Sequence, residues 1–352
     1  MAMNRGVVLL GDRQLEMREK PVPEPTGDEV LVRTKASGIC GSDLHGLYQR
    51  SRAEMDAWRQ RLGGQWWFSG HEPCGVVEAV GSAVMQVRPG DRVLIDHVIA
   101  CGTCKYCRTG QQFHCTNRRL SLGFGIDGGH ADFVLTRDRS CVRMPDHLSF
   151  VDGAYMSCAA STSFRVTQRL GVSGLDTVVC YGLGPVGLSG LVFARAMGAR
   201  VIAVDVVPER MALARELGAW QVIDARQQDP VAVVRELTDG QGAEVAIDYS
   251  ANPQARNNAL DCVGIYGRVA FVGEGNQTTF NISPQIIHRD LTIIGSWVYG
   301  TATLYEISEF IKRHHIDLGR LVTGTYRIEQ AEEAFRLFDG AATSKLVFVW
   351  PD

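Results

Sequence analysis

The chain has 352 residues, room for about two domains, and its 45% hydrophobic and 21% charged content can fill ordinary globular cores. A formal net charge of −3 with no basic run offers no electrostatic handle to nucleic acid or anionic membrane. No stretch approaches the roughly 20 apolar residues that span a bilayer, and "MAMNRGVVLLGDRQLEM" is too poor in apolar residues for a signal peptide, so a cytoplasmic protein is expected.

Residues 5–10 and 29–36 are predicted strands, joined by the turn-prone "PVPEPTGDE". "SRAEMDAWRQRLGG" is a predicted short helix, from a Ser cap to a Gly stop. Residues 75–80 and 91–96 are two more strands around the turn "RPGD", and together these short, Gly/Pro-punctuated strands predict a β-rich, barrel-like first unit.

The loop "ACGTCKYCRTGQQFHC" follows. Cys101, Cys104, Cys107 and Cys115 form C-x2-C-x2-C-x7-C. A reducing compartment disfavours disulfides, so four thiols at this spacing predict a metal site. Four thiolates close a tetrahedral zinc shell, which makes the site structural; iron–sulfur ligation is the rival reading, lacking here the usual proline-marked fourth cysteine. A catalytic zinc instead needs about three protein ligands and an open position. Cys40 in "GICGSDLH", His71 in "GHEPCG" and Cys158 in "MSCAAST" are candidates, although spacing alone does not bring them together.

From about residue 153 strands and helices alternate, which predicts a parallel, doubly wound α/β sheet. "GLGPVG" sets Gly182, Gly184, Pro185, Val186 and Gly187 between strand 177–181 and a helix. The first glycine allows the turn, the second lets a pyrophosphate approach, and the third lets helix pack on strand. Asp205 ends the next strand about 20 residues on, where it meets the ribose and repels a 2′-phosphate, so NAD is the expected cofactor. "LYEISEFIKRHHI" and "IEQAEEAFRLFDG" are predicted amphipathic helices before a last strand, "KLVFVW". Cysteines 74, 141, 180 and 262 are expected to be packing residues.

"GHEPCGVVEAVGSAV", with the pattern G-H-E-x2-G-x5-G-x2-V, resembles the signature of zinc-containing medium-chain alcohol dehydrogenases. "CGSDLH", the four-cysteine loop and "GLGPVG" occur in that family's order, and the likeness covers nearly the whole chain. The resemblance implies an α/β protein: a GroES-like β-barrel catalytic domain over 1–152, a Rossmann NAD-binding domain over 153–297, and a return of 298–352 to the catalytic domain. It implies two zinc ions per subunit, the catalytic one held by Cys40, His71 and Cys158, with Glu72 an exchanging acid and Asp43 orienting His71. Ser42 and His45 match a proton relay. Thr162 matches a nicotinamide contact, Arg210 a basic residue beside the adenosine, and Lys345 a pyrophosphate contact. A homodimer or homotetramer is implied.

The expected activity is oxidation of a secondary alcohol (polyol, sugar, cyclitol or amino alcohol) to a ketone, with hydride transfer to NAD. A primary or bulky apolar alcohol is the alternative, and a non-catalytic zinc or NAD sensor another, against which the intact set Cys40, Ser42, His45, His71 and Cys158 speaks. A zinc-free quinone reductase of the same fold is opposed by the cysteines and Asp205. Residues 46–69 look longer than in polyol and threonine enzymes; Tyr48, Trp66, Trp67 and Trp297 are candidate substrate contacts, and Glu54 or Asp56 candidate partners for a substrate amine.

Overall fold

Strand pairing begins in a hairpin that the hydrophobic pattern only half reveals; the computed structural model describes residues 2–117, 119–341 and 343–351. Met3–Gly11 pairs antiparallel with Gln14–Pro21, a strand absent from the sequence expectation. "QLEMREKP" is mostly polar, with Leu15 its one apolar contact to the core, so its register comes chiefly from main-chain pairing. The two-residue turn between them places Asp12 and Arg13 at φ of 50° and 60°, left-handed backbone in residues that are not glycine.

Two compact units make up the chain: Met1–Ser161 with Tyr299–Gly340 and Lys345–Asp352, and Thr162–Val298 with Ala341–Ser344. In the first, a seven-stranded sheet runs Cys141–Arg143, Arg92–Ile95, Glu72–Val80, Glu29–Gly38, Lys345–Val349, Val322–Tyr326, with Phe133–Arg137 also paired to Glu29–Gly38. Buried aliphatics from facing strands, including Val30, Val32, Val77, Val93, Ile95 and Val134, fill its interior. The late strand Lys345–Val349 pairs antiparallel with Glu29–Gly38, joining residues some 310 apart into one sheet.

The second unit is a six-stranded sheet in which every adjacent pair is parallel. In chain order its strands are Thr177–Tyr181, Arg200–Asp205, Gln221–Asp224, Ala243–Asp248, Val263–Phe271 and Thr292–Gly295. The spatial order is third, second, first, fourth, fifth, sixth. Order reverses between the first and fourth strands, and ligands of such sheets bind beyond the strands' carboxyl ends at that point. Among the described residues no helix is long and apolar enough to cross a membrane.

Candidate active site

Cys40 follows the strand Glu29–Gly38 and caps the short turn Gly41–Asp43. Its amide donates to Asp43 Oδ2 at 2.9 Å, and Asp43 Oδ1 lies 3.1 Å from His71 Nδ1. Asp43 is fully buried and carboxylates only accept, so in its neutral form, the one a metal ligand needs, His71 carries its proton on Nδ1 and has Nε2 bare. Burial disfavours a charged His71, but Asp43 and Cys40 outweigh it and raise its pKa. His71 is placed by Gly70, whose φ of +87° suits glycine and whose absent Cβ would lie 2.3 Å from the His130 ring.

Cys158 arrives from a different segment, the π-helical turn Met156–Ala160. Such turns insert a residue into the helical register and often mark functional positions. Donor atoms of Cys40, His71, Glu72 and Cys158 all lie within 4.8 Å of one another, close enough for one ion bound at about 2.0–2.3 Å. A hydrogen bond from Cys158 draws the Cys40 thiol well below its ordinary range and raises Cys158 in return. A thiolate is thus ready-made in the cluster, as a metal ligand requires.

Glu72 completes the group. Burial pushes its carboxyl up to about 7, against the opposing pull of Lys345. Lys345 Nζ bonds Glu72 Oε2 and, at 3.0 Å, the carbonyl of Ile39, and both side chains are fully buried. Glu72 Oε1 has no hydrogen-bond partner, an orphaned buried acceptor beside two thiols and a bare imidazole nitrogen. That donor set fits a zinc ion.

Beside the cluster, Ser42 Oγ is 3.5 Å from His71 Nε2. His45 is exposed, in the second π-helical turn, Leu44–Tyr48, with Nδ1 2.7 Å from Gln49 Oε1.

The four-cysteine loop closes on itself. Sγ–Sγ separations are 3.8 Å for Cys101–Cys107, 3.5 Å for Cys104–Cys107 and 3.9 Å for Cys104–Cys115. Four thiolates about 2.3 Å from a tetrahedral zinc stand ~3.8 Å apart, so the loop is already shaped for the ion. Hydrogen bonds from Thr103, then the amide of Cys104, lower the Cys101 thiol to about 5.

In the second unit, strand Thr177–Tyr181 feeds the helix Pro185–Ala196 through the glycine turn, with Gly184 as N-cap and Pro185 opening the helix. Gly182 has φ of +87°, and a Cβ on Gly187 would stand 1.8 Å from the Gly182 carbonyl oxygen. At Gly184 the nearest atom to such a Cβ is Arg210 Nη1 at 4.0 Å. The protein itself therefore demands Gly182 and Gly187, whereas Gly184 keeps open a cradle that a side chain would fill. This fits a pyrophosphate at the helix N-terminus. Asp205 accepts from the amides of Leu183 (2.5 Å), Val206 (2.6 Å) and Val207 (2.9 Å), bracing the same loop. Arg210 Nε donates to the Thr343 carbonyl at 3.2 Å. Thr162 is buried, with Oγ1 unpartnered. Val186 lies in the first turn of that helix.

Comparison with known proteins gives the family. Residues 26–146 match the alcohol dehydrogenase GroES-like domain and residues 185–313 the zinc-binding dehydrogenase domain. The zinc-type alcohol dehydrogenase-like protein YphC of Escherichia coli K12 is 37% identical over 350 residues, 98% of each chain. This chain belongs to the zinc-containing medium-chain alcohol dehydrogenase family. Sorbitol dehydrogenase of Bacillus subtilis 168 is 31% identical, over 94% of this chain and 92% of its own. Among solved structures, the short chain alcohol dehydrogenase RspB of E. coli CFT073, complexed with NADH, superposes with a TM-score of 0.87 at 25% identity, covering 99% of this chain and 100% of that one.

The remaining candidates fall in varied places in this dehydrogenase. Tyr48 is a core residue, 4% exposed, its ring 5.2 Å from Phe335. Trp66 faces the first hairpin, with Lys20 Nζ 4.2 Å from its ring centroid. Trp67 is buried, donates Nε1–H to the Gly123 carbonyl at 2.8 Å, and packs edge-on to Trp58. The carbonyl of Trp297 accepts from Arg165 at 3.4 Å. Glu54 caps Ser51 and Asp56 pairs with Arg59, so helix capping and surface pairing account for the two acids expected to read an amine. Lys345, expected at a pyrophosphate, has its ammonium committed to Glu72 and Ile39 because the last strand runs beside Glu29–Gly38.

Two residues beside the metal cluster escape sequence reading. The rings of His97 and Phe124 lie 5.2 and 5.4 Å from that of His71. His97 Nδ1 is 3.2 Å from the Ser157 carbonyl, and burial lowers its pKa to about 3, so it stays neutral. A lone His or Phe in a short connection between strands carries no signal of its own; adjacency to His71 exists only in the fold.

Proposed function

We propose that the chain oxidises a secondary alcohol (a polyol, sugar, cyclitol or amino alcohol) to the ketone, with hydride transfer to NAD. The observation that carries this reading is the cluster of Cys40, His71, Glu72 and Cys158, with Asp43 holding His71 Nε2 bare. Cys40, His71 and Cys158 are the zinc ligands in this reading, and zinc held there supplies Lewis acidity that lowers the pKa of an alcohol oxygen. Ser42, next to His71, accepts the hydrogen bond of the substrate hydroxyl and orients its proton outward. His45, exposed at the turn, passes that proton to water. Gly184 would hold the pyrophosphate of NAD and Asp205 would face its ribose, where a carboxylate opposes a 2′-phosphate; NAD held there would supply the hydride acceptor. Relatives named sorbitol, L-threonine 3- and D-arabitol-phosphate dehydrogenase support the secondary-alcohol class.

Phe124 beside His71, with Trp58 6.5 Å from Phe124, favours a second reading in which the substrate is bulky and apolar. Initial rates of NADH formation separate the two: polyols, cyclitols and amino alcohols should outrun benzylic and long-chain primary alcohols. Faster rates with the apolar alcohols favour the second reading, and no turnover across the panel removes both.

A further inference from the structure

His45 does not stand alone. It heads a chain of polar groups, each of whose directions is forced by chemistry. Arg13 Nε donates to Asp339 Oδ2 at 2.7 Å, and Gln49 Nε2 donates to Asp339 Oδ1 at 2.5 Å. Burial would raise the Asp339 pKa, but hydrogen bonds from Gln49 and Arg13 and the Arg13 charge outweigh it, so Asp339 is ionised and only accepts. The Gln49 amide must then turn its NH2 to Asp339 and its oxygen to His45. An amide oxygen cannot donate, so the bond at His45 Nδ1, 2.7 Å away, is made by an Nδ1–H.

The framework is costly for a merely decorative contact. Asp339 ends the helix Ala331–Asp339, where the dipole disfavours an acid. Arg13 occupies a left-handed turn position that suits glycine. The same turn is pinned to the π-helical segment, Arg13 N to the Tyr48 carbonyl at 2.7 Å and Asp12 N to the Arg50 carbonyl at 2.6 Å. Three separate segments thus meet in one chain of bonds that ends at the His45 imidazole.

We propose that Gln49 and Asp339 are positioning residues that fix neutral His45 as the Nδ1–H tautomer, making Nε2 the atom that takes and releases the proton. This rests on the reading of His45 as the outer member of the proton path. Free neutral imidazole side chains favour the opposite tautomer, so the claim is sharp.

The test uses nitrogen NMR of the zinc-replete enzyme with isotope-labelled histidine, His45 being assigned by loss of its signals in His45→Asn. Wild type should show a protonated Nδ1 and a bare Nε2, and Gln49→Leu should revert to Nε2–H. The Leu variant should lose about tenfold in kcat, with little change in the KM for NAD. The exchange Gln49→Glu with Asp339→Asn reverses the bond between residues 49 and 339 but still presents an acceptor oxygen to His45 Nδ1 and another to Arg13, and should restore both tautomer and kcat. A wild-type His45 bearing its proton on Nε2, or a double variant no better than Gln49→Leu, overturns the proposal alone. Full turnover in His45→Asn overturns the relay reading and the proposal together.

Discussion

Gly70 is glycine for two separable reasons, its φ of +87° and the His130 ring 2.3 Å from where a Cβ would stand. The Gly70→Ala variant should lose roughly 2–4 kcal/mol of stability and, because residue 71 shifts with it, bind less than two zinc ions per chain by metal analysis. A stable variant with two full zinc sites would refute this. His130 itself is buried, its Nε2–H donated to the Gly38 carbonyl at 3.1 Å and Nδ1 3.1 Å from Ser69 Oγ; burial lowers its pKa to about 4. Unfolded, it titrates near 6.5, so between about 6.5 and 4 the unfolded chain holds the extra proton and stability falls as pH falls. The stability of wild type relative to His130→Gln should decline by about 3 kcal/mol across that window and be flat above it, as urea melts at several pH values would show. At this scale the sequence is a partial guide. Cys40, His71 and Cys158 are nameable because their residue types are ligands, and the fold brings them together. His97, Phe124 and the Glu72–Lys345 pair are not, because their meaning lies in neighbours distant along the chain.

The elements divide along the same line. The helix Arg52–Arg61 is written in its ends: Ser51 accepts from the Glu54 amide, Glu54 answers, and Gly63 and Gly64 stop it at φ of 88° and 77°. The strand Gln14–Pro21 is not, since Leu15 and the exposed Met17 are too few apolar residues to announce it. Nor are the two π-helical turns, which carry His45 and Cys158; one extra residue per turn leaves no compositional trace. The cysteine loop is the opposite case, an element whose shape follows from thiol spacing alone. Cys107→Ser should remove one zinc per chain, make residues 101–117 a site of rapid proteolysis, and lower Tm by several degrees. Retention of two zinc ions would show that Cys107 is not one of the ligands holding the loop's ion.

Across the molecule, the reversal of strand order in the parallel sheet explains why the glycine turn sits where it does, and it separates glycines the fold needs from one the ligand needs. Gly187→Ala should destabilise by about 2–4 kcal/mol, since its Cβ would meet the Gly182 carbonyl at 1.8 Å. Gly184→Ala should melt like wild type yet bind NADH about tenfold more weakly by titration calorimetry, because its Cβ meets no protein atom closer than 4.0 Å. Equal loss of stability in both variants would contradict that division. The alternation of strands and helices made this sheet legible. The pairing of Lys345–Val349 with Glu29–Gly38 was not, for nothing in a five-residue apolar strand names its partner.

That late pairing has a consequence for biosynthesis. The cation that balances Glu72 lies 273 residues downstream of it. As the polypeptide emerges, Cys40, His71 and Glu72 are present for most of translation without their counter-charge. In a fragment ending before residue 345, Glu72 would lose the ammonium that holds its charge, and burial would keep it as the neutral acid until the last strand arrives.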